Sequence, residues 1–177
     1  QWVPVFTLLL TEYRIEYGEV RFFYTIRRLV LYIKGVSSEQ RDITTEIYGP
    51  PAEIAIDENG HFTSAALKFA ASHNLSVDNL LIRERKGKKV LAVAKYEKGK
   101  KVFEVIGEIL EESIKRLEIP RGMKWNGGTF RFLRPIRWIM LLYGKRVINI
   151  SLSGIKSGSF SYGHRTLAPA KFKVLSP

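Results

Sequence analysis

The chain has 177 residues, 45% hydrophobic and 26% charged, a composition that builds a globular core without staples and excludes a disordered chain. It contains no cysteine, which excludes disulfides, cysteine-rich zinc sites and thiol catalysis and suits a reducing compartment. The net charge is +12, and its distribution is uneven: residues 1–120 hold 18 basic and 17 acidic side chains, whereas residues 121–177 hold 11 basic and none acidic. One domain over residues 1–177, or one with a small annex, is expected, with the basic third at 121–177. The longest apolar runs are about five residues, too short for a helical membrane span, and no signal peptide is visible. A cytoplasmic location is therefore expected. The first residue is Gln1, and the chain reads as a piece of a longer protein. Asn and Gln are scarce and Lys and Glu plentiful, a lean toward a thermophilic source.

In chain order, residues 2–15 place apolar side chains at 2, 5, 6, 9 and 10, a helical stripe that Pro4 should break early and Gly18 should close. Residues 20–36, rich in β-branched and aromatic side chains, predict one or two strands with Leu29 to Ile33 as a buried centre. A further strand at 43–48 should stop at Gly49-Pro50-Pro51, and Asp57-Glu58-Asn59-Gly60 reads as a turn. Thr63 caps a short helix with Ala66, Phe69, Ala70 and His73 on one face and Asn74 at its end. Residues 80–86 and 89–97 form a hairpin about Lys86-Gly87-Lys88, with Val90, Ala92, Ala94 and Tyr96 on one side.

Residues 101–118 predict the strongest helix, with Val102, Phe103, Ile106, Ile109, Leu110, Ile114 and Leu117 as its apolar stripe. Glu111–Lys115 and Glu112–Arg116 are favourable four-residue pairs on its outer side. Beyond Pro120, a hairpin is expected from 136–143 and 147–152 about Tyr143-Gly144-Lys145, with a helix starting at Pro135 as the competing reading. Residues 153–166 are Gly- and Ser-rich and read as irregular. The class is α+β: a mixed, largely antiparallel sheet with two or three packed helices.

Little in the sequence supports autonomous catalysis. There is no GxxxxGK[ST] and no GxGxxG between a strand and a helix. Asn126-Gly127-Gly128-Thr129 reads as a tight turn rather than a phosphate cradle. His61, His73 and His164 lie far apart and show no metal-ligand spacing, so no metal site is assigned. Glu111 and Glu112 read as solvated, no serine sits in a nucleophile elbow, and no catalytic residue is nominated.

The basic third points to a polyanion, most often nucleic acid. From Phe130 to Trp138, bulky apolar residues alternate with Arg131, Arg134 and Arg137. Two readings stand: a core strand with a solvated basic back, or a guanidinium strip aimed at phosphates. Trp138 and Ile136 are the core candidates. Arg134 and Arg137 are either RNA-facing or structural, and Pro135 between them is expected to aim at least one inward into a buried ion pair. Lys124, Arg131, and His164 and Arg165 in the Gly/Ser-rich loop are the better RNA-contact candidates. Arg27 and Arg28 are either phosphate contacts or members of an intramolecular ion pair.

These residues also resemble a family. Thr25-Ile26-Arg27-Arg28-Leu29 is similar to the T-P-R-R-L segment of the bacterial glycyl-tRNA synthetase β subunit, and Gly49-Pro50 with Ala52, Ala55, Asp57, Gly60 and Thr63 is similar to its next stretch. Ala65-Ala66 with Phe69-Ala70, Met123-Lys124-Trp125, Phe130, Arg134-Pro135-Ile136-Arg137-Trp138-Ile139, Gly154-Ile155 and Gly163-His164-Arg165 continue the resemblance in order. The chain departs from the family pattern at Ile26, where a proline is usual, at Lys68, where a glycine is usual, and at Lys124, which replaces an arginine.

The resemblance implies the N-terminal part of a longer subunit, with a fold like the B3/B4-type domain of the phenylalanyl-tRNA synthetase β subunit. It implies tRNA(Gly), the synthetase α subunit and the rest of the β subunit as partners. Glycine, ATP and Mg would be used by the complete enzyme, in the α subunit, with no cofactor in this piece. The expected role is tRNA binding and subunit scaffolding. The rivals are an editing-type hydrolytic pocket that includes His164 and Arg165, and a purely structural domain that docks its basic third on an acidic surface.

Overall fold

The computed structural model describes residues 1–124, 131–164 and 166–177. It divides the chain into two compact units, residues 1–41 with 100–177 and residues 42–99.

The first unit opens with α1 (Trp2–Glu12), which buries Phe6, Leu9 and Leu10. Pro4 does not break it: the residue lies in the first turn, where a backbone N–H has no intrahelical acceptor to lose. Gly18 does not close it either. Arg14 takes a left-handed conformation (φ 57°), and the next amide, Ile15 N–H, bonds back to the Leu10 carbonyl at 2.8 Å. Gly18 instead starts the next element, donating its N–H to the Lys34 carbonyl at 2.8 Å. Strands β1 (Val20–Thr25) and β2 (Arg28–Ile33) pair antiparallel, with Phe22 opposite Leu31 and Thr25 opposite Arg28. They form a two-stranded sheet of their own, so the centre expected to be buried is not: Leu29 and Val30 are exposed, and Leu31 and Ile33 are half-buried.

The second unit is a three-stranded antiparallel sheet with short helices. β3 (Ile43–Pro51) runs into α2 (Ala52–Ala55), followed by α3 (Ser64–Ser72), β4 (Leu80–Arg85) and β5 (Lys88–Glu97) in the spatial order β3-β5-β4. β3 continues through Gly49-Pro50-Pro51 because it is an edge strand whose register shifts there, and an edge has room for a residue without an N–H. The Asp57 carboxylate closes the predicted turn by accepting Asn59 N–H at 3.0 Å and His61 N–H at 2.7 Å. Thr63 caps α3 through Ala65 N–H at 3.3 Å, and Asn74 lies just past its end at φ 55°. The core is Ala55, Ala66 and Leu91, with Ile56, Phe69 and Leu80 packed on it. Leu91, Ala92 and Val93 are all buried, so β5 is covered on both faces at its centre, and of the side holding Val90, Ala92, Ala94 and Tyr96 the last two are exposed.

The first unit resumes with α4 (Val102–Lys115), which buries Val102, Val105, Ile106, Ile109, Leu110, Ser113 and Ile114 against α1 and the strands that follow. The predicted stripe is largely present, but Phe103 and Leu117 are only half-buried, and Val105 and Ser113 take their place. Ser113 is tolerated in the core because both its hydrogen-bonding functions are used: its hydroxyl accepts Trp2 Nε1–H at 3.0 Å and donates to the Leu110 carbonyl at 2.7 Å. The two expected helix-surface pairs form, Lys115–Glu111 at 2.7 Å and Arg116–Glu112 at 2.6 Å.

Among the described residues, nine short strands complete this unit. They are β6 (Met123–Lys124), β7 (Arg131–Phe132), β8 (Ile139–Met140), β9 (Leu142–Tyr143), β10 (Arg146–Val147), β11 (Ser151–Leu152), β12 (Ile155–Gly158), β13 (Phe160–Tyr162) and β14 (Lys171–Lys173). The β9–β10 hairpin turns at Gly144 as predicted, and no helix starts at Pro135. The Gly/Ser-rich stretch is not irregular: β11 and β12 turn at Ser153-Gly154, both with positive φ (49° and 82°), and β13 pairs with β14. The class is α+β as expected. Among the described residues, however, the strands form six small sheets rather than one, every pairing is antiparallel except β8 with β12, and four α-helices are present.

Candidate nucleic-acid interface

The two parts of the chain handle their charges differently. Among the described residues, every ion pair joins partners between Glu12 and Arg116. Arg116 holds both Glu12, at 3.0 Å, and Glu112, and these hydrogen bonds raise its pKa above the ordinary value. Lys101 is raised in the same sense by Glu39 at 2.7 Å. In the basic third the described cations Arg121, Lys124, Arg131, Arg134, Arg137, Lys145, Arg146, Lys156, Lys171 and Lys173 are all exposed, and none has a carboxylate partner among the described residues.

Lys124 and Arg131 face each other directly across the antiparallel pair β6–β7. Like charges at cross-strand spacing repel, so an anion spanning both would relieve this pair. The strands bracket residues 125–130, and the predicted Asn126-Gly127-Gly128-Thr129 turn lies outside the described residues.

The alternation from Arg131 holds for one step only. Arg131 is exposed and Phe132 packs toward the core, and then Leu133 is exposed as the strand ends. Ile136 reaches the core, and Trp138 is half-buried with its ring 5.5 Å from that of Tyr162. Pro135 turns neither neighbouring arginine inward: Arg134 and Arg137 are both exposed, so the expected buried ion pair is absent among the described residues. An extended backbone before proline fixes ψ, not the direction of a long, flexible side chain.

Arg28 is not an ion-pair member among the described residues. Its guanidinium donates to the backbone carbonyl of Tyr162. Arg27 beside it is exposed at the hairpin turn, and its backbone N–H donates to Thr25 Oγ1 at 3.3 Å. The His164 side chain acts locally: Nδ1 accepts the N–H groups of Thr166 at 3.3 Å and Leu167 at 3.2 Å, closing a turn. Acceptance at Nδ1 fixes the proton on Nε2 when the ring is neutral. Arg165 lies outside the described residues.

Two further exposed cations of the basic third lie over aromatic rings. Lys171 Nζ lies 4.0 Å from the Phe160 ring centroid, and the Arg146 guanidinium lies 4.1 Å from that of Phe103. The signal that was available for Lys171 and Lys173 is the two-residue alternation Lys171-Phe172-Lys173, which marks a strand with one cationic face. Among the described residues no three His, Cys, Asp or Glu side chains converge as metal ligands. A shallow concavity on α4 is lined by Glu108, Glu111, Glu112 and Lys115, where Glu111 and Glu112 are engaged by Lys115 and Arg116. No helix among the described residues is long and apolar enough to cross a membrane.

A family model described as glycyl-tRNA synthetase beta subunit matches residues 1–177. The chain is 37% identical over 174 residues to the glycine–tRNA ligase beta subunit of Moorella thermoacetica, covering 98% of this chain and 25% of that protein. It is 40% identical over 164 residues to the protein of the same description from Thermodesulfovibrio yellowstonii, covering 92% of this chain and 24% of the relative. The chain thus belongs to the glycyl-tRNA synthetase β-subunit family, and it spans about a quarter of the length of the curated relatives it matches.

Proposed function

We propose that this chain is a tRNA-contacting and scaffolding region of a glycyl-tRNA synthetase β subunit, serving the reaction of glycine, ATP and tRNA(Gly) to glycyl-tRNA, AMP and pyrophosphate. The observation that carries the reading is the set of exposed cations described between residues 121 and 177, none with a carboxylate partner among the described residues, with Lys124 and Arg131 opposed across β6–β7. Phosphates neutralise such a set and release counterions from the nucleic acid, which makes binding favourable without reading bases. The chain's contribution to the chemistry is then positional: it holds tRNA so that the acceptor end reaches a site elsewhere. The α subunit houses glycine, ATP and Mg in this scheme, and no reaction step is routed through a group in this chain. The small antiparallel sheets and packed helices are compatible with a B3/B4-type domain, and a cytoplasmic location follows from the reaction served.

Lys124 and Arg131 are the leading phosphate contacts, Arg134 and Arg137 are their RNA-facing neighbours, and Arg27 is a more remote candidate. Arg28 and His164 hold the scaffold through Tyr162 and through the 164–167 turn. The test is aminoacylation by the reconstituted holoenzyme carrying Lys124→Gln and Arg131→Gln. The expected result is a raised KM for tRNA with KM for glycine and ATP unchanged. Unchanged tRNA kinetics would remove this surface from the function.

A further inference from the structure

The hairpin β13–β14 is an incomplete sheet. Its two strands pair only with each other among the described residues. Gly163 N–H bonds to the Ala170 carbonyl at 2.7 Å and Val174 N–H to the Ser159 carbonyl at 2.7 Å. Alternation of the antiparallel ladder then makes Ser161 and Phe172 the hydrogen-bonded pair between them, so the backbone N–H and C=O groups of Lys171 and Lys173 point away from β13. On the opposite edge the Tyr162 carbonyl already receives Arg28. The edge of β14 has no such cover among the described residues.

The same segment exposes large apolar side chains: Leu167 is 86% exposed, Leu175 69% and Phe172 52%. A two-stranded hairpin with an open edge and exposed apolar residues is marginal alone in water and is a template for a further strand. Lys171 and Lys173 guard that edge against indiscriminate pairing, because a strand without compensating charge meets two ammonium groups on one face. The 121–177 region has no carboxylate to offer them, so the compensating acid must come from outside it.

We propose that the outer edge of β14 is completed by a strand from the remaining polypeptide of the same subunit, with acidic residues at alternate positions facing Lys171 and Lys173 and an apolar residue on the Phe172 face. Chain length favours this occupant over a separate molecule. The matched region is about a quarter of the relatives, so most of the subunit lies outside it, and a tethered strand docks at a high effective concentration. Opposite charges directly across a strand pair add to the ladder bonds, and an apolar neighbour covers Phe172. This surface does not depend on tRNA binding elsewhere in the basic third.

Hydrogen exchange on the full-length β subunit tests this directly. The Lys171 and Lys173 amides should exchange roughly a hundredfold more slowly than unstructured amides, without RNA and regardless of dilution. Exchange at the unstructured rate, protection that appears only with tRNA, or protection lost on dilution would each overturn the proposal, the last two by naming RNA or a second copy as the occupant. Zero-length carbodiimide coupling on the same protein provides a second readout. Lys171 or Lys173 should couple to an Asp or Glu of the same subunit outside the matched region, and coupling only to another subunit, or no coupling, would overturn it.

Discussion

The Arg28 guanidinium donates to the backbone carbonyl of Tyr162, joining residues 134 positions apart in sequence and tying the β1–β2 hairpin to β13. Its neighbour Arg27 has no such partner among the described residues and is exposed. Two adjacent arginines thus do different work, and stability measurements should separate them. Arg28→Ala should lower stability by about 1 kcal/mol, the usual worth of such a bond, and Arg27→Ala by less than about 0.5 kcal/mol. Equal losses in chemical denaturation would contradict the assignment.

The Arg134-Pro135-Ile136-Arg137-Trp138 run divides the same way. Trp138 is half-buried against Tyr162, so Trp138→Ala should cost about 2 kcal/mol, less than the larger loss of a fully buried indole. Arg134→Ala and Arg137→Ala should each cost under about 0.5 kcal/mol because both side chains are exposed. Melting curves decide it, and an arginine variant as unstable as Trp138→Ala would show that the guanidinium is structural.

Acid titration offers a test in the second unit. Arg83 Nε lies 2.8 Å from Glu46 and, chiefly through that hydrogen bond, holds the Glu46 carboxyl below its ordinary value of 4.5. A carboxylate depressed in the folded state stabilises above its unfolded pKa, and this contribution is lost as pH falls through the lower folded value. NMR titration should find Glu46 below 4.5 and moving up toward it in Arg83→Gln. No upward movement would contradict the pairing. The carboxyl is half-buried at the surface, so the effect should shrink with added salt.

Gly163 explains part of the Gly163-His164-Arg165 signature without RNA. A Cβ there would lie 1.9 Å from the Ala168 carbonyl oxygen, so the loop must open to admit any side chain. Gly163→Ala should destabilise by about 1–3 kcal/mol and free the Gly163 amide from Ala170, visible as faster exchange of that amide. An unchanged melting temperature would show that the loop is not closed as described.

The sequence was informative where one short-range pattern decides the structure. Helix α4, the Thr63 cap and the Lys86-Gly87 hairpin follow from periodicity, a hydroxyl cap and turn chemistry. It was less informative where the outcome depends on neighbours: Arg14 rather than Gly18 ends α1, and β3 runs through two prolines because it is an edge. The charge asymmetry was visible at once, but which cations lack carboxylates depends on which elements meet. Arg27 and Arg28 are indistinguishable as letters, and only the packing of β13 separates them. Lys171 and Lys173 went unnoticed because their strand is three residues long.

The most direct test of the account is the salt dependence of tRNA binding to the full-length β subunit, compared between wild type and a variant with Lys124, Arg131, Arg134 and Arg137 all changed to Gln. Each phosphate contact contributes about 0.7–0.9 to the slope of log K against log salt. The account predicts a shallower slope for the variant, by about 2 or more, with an unchanged melting temperature. An equal slope and affinity in the two proteins would contradict it.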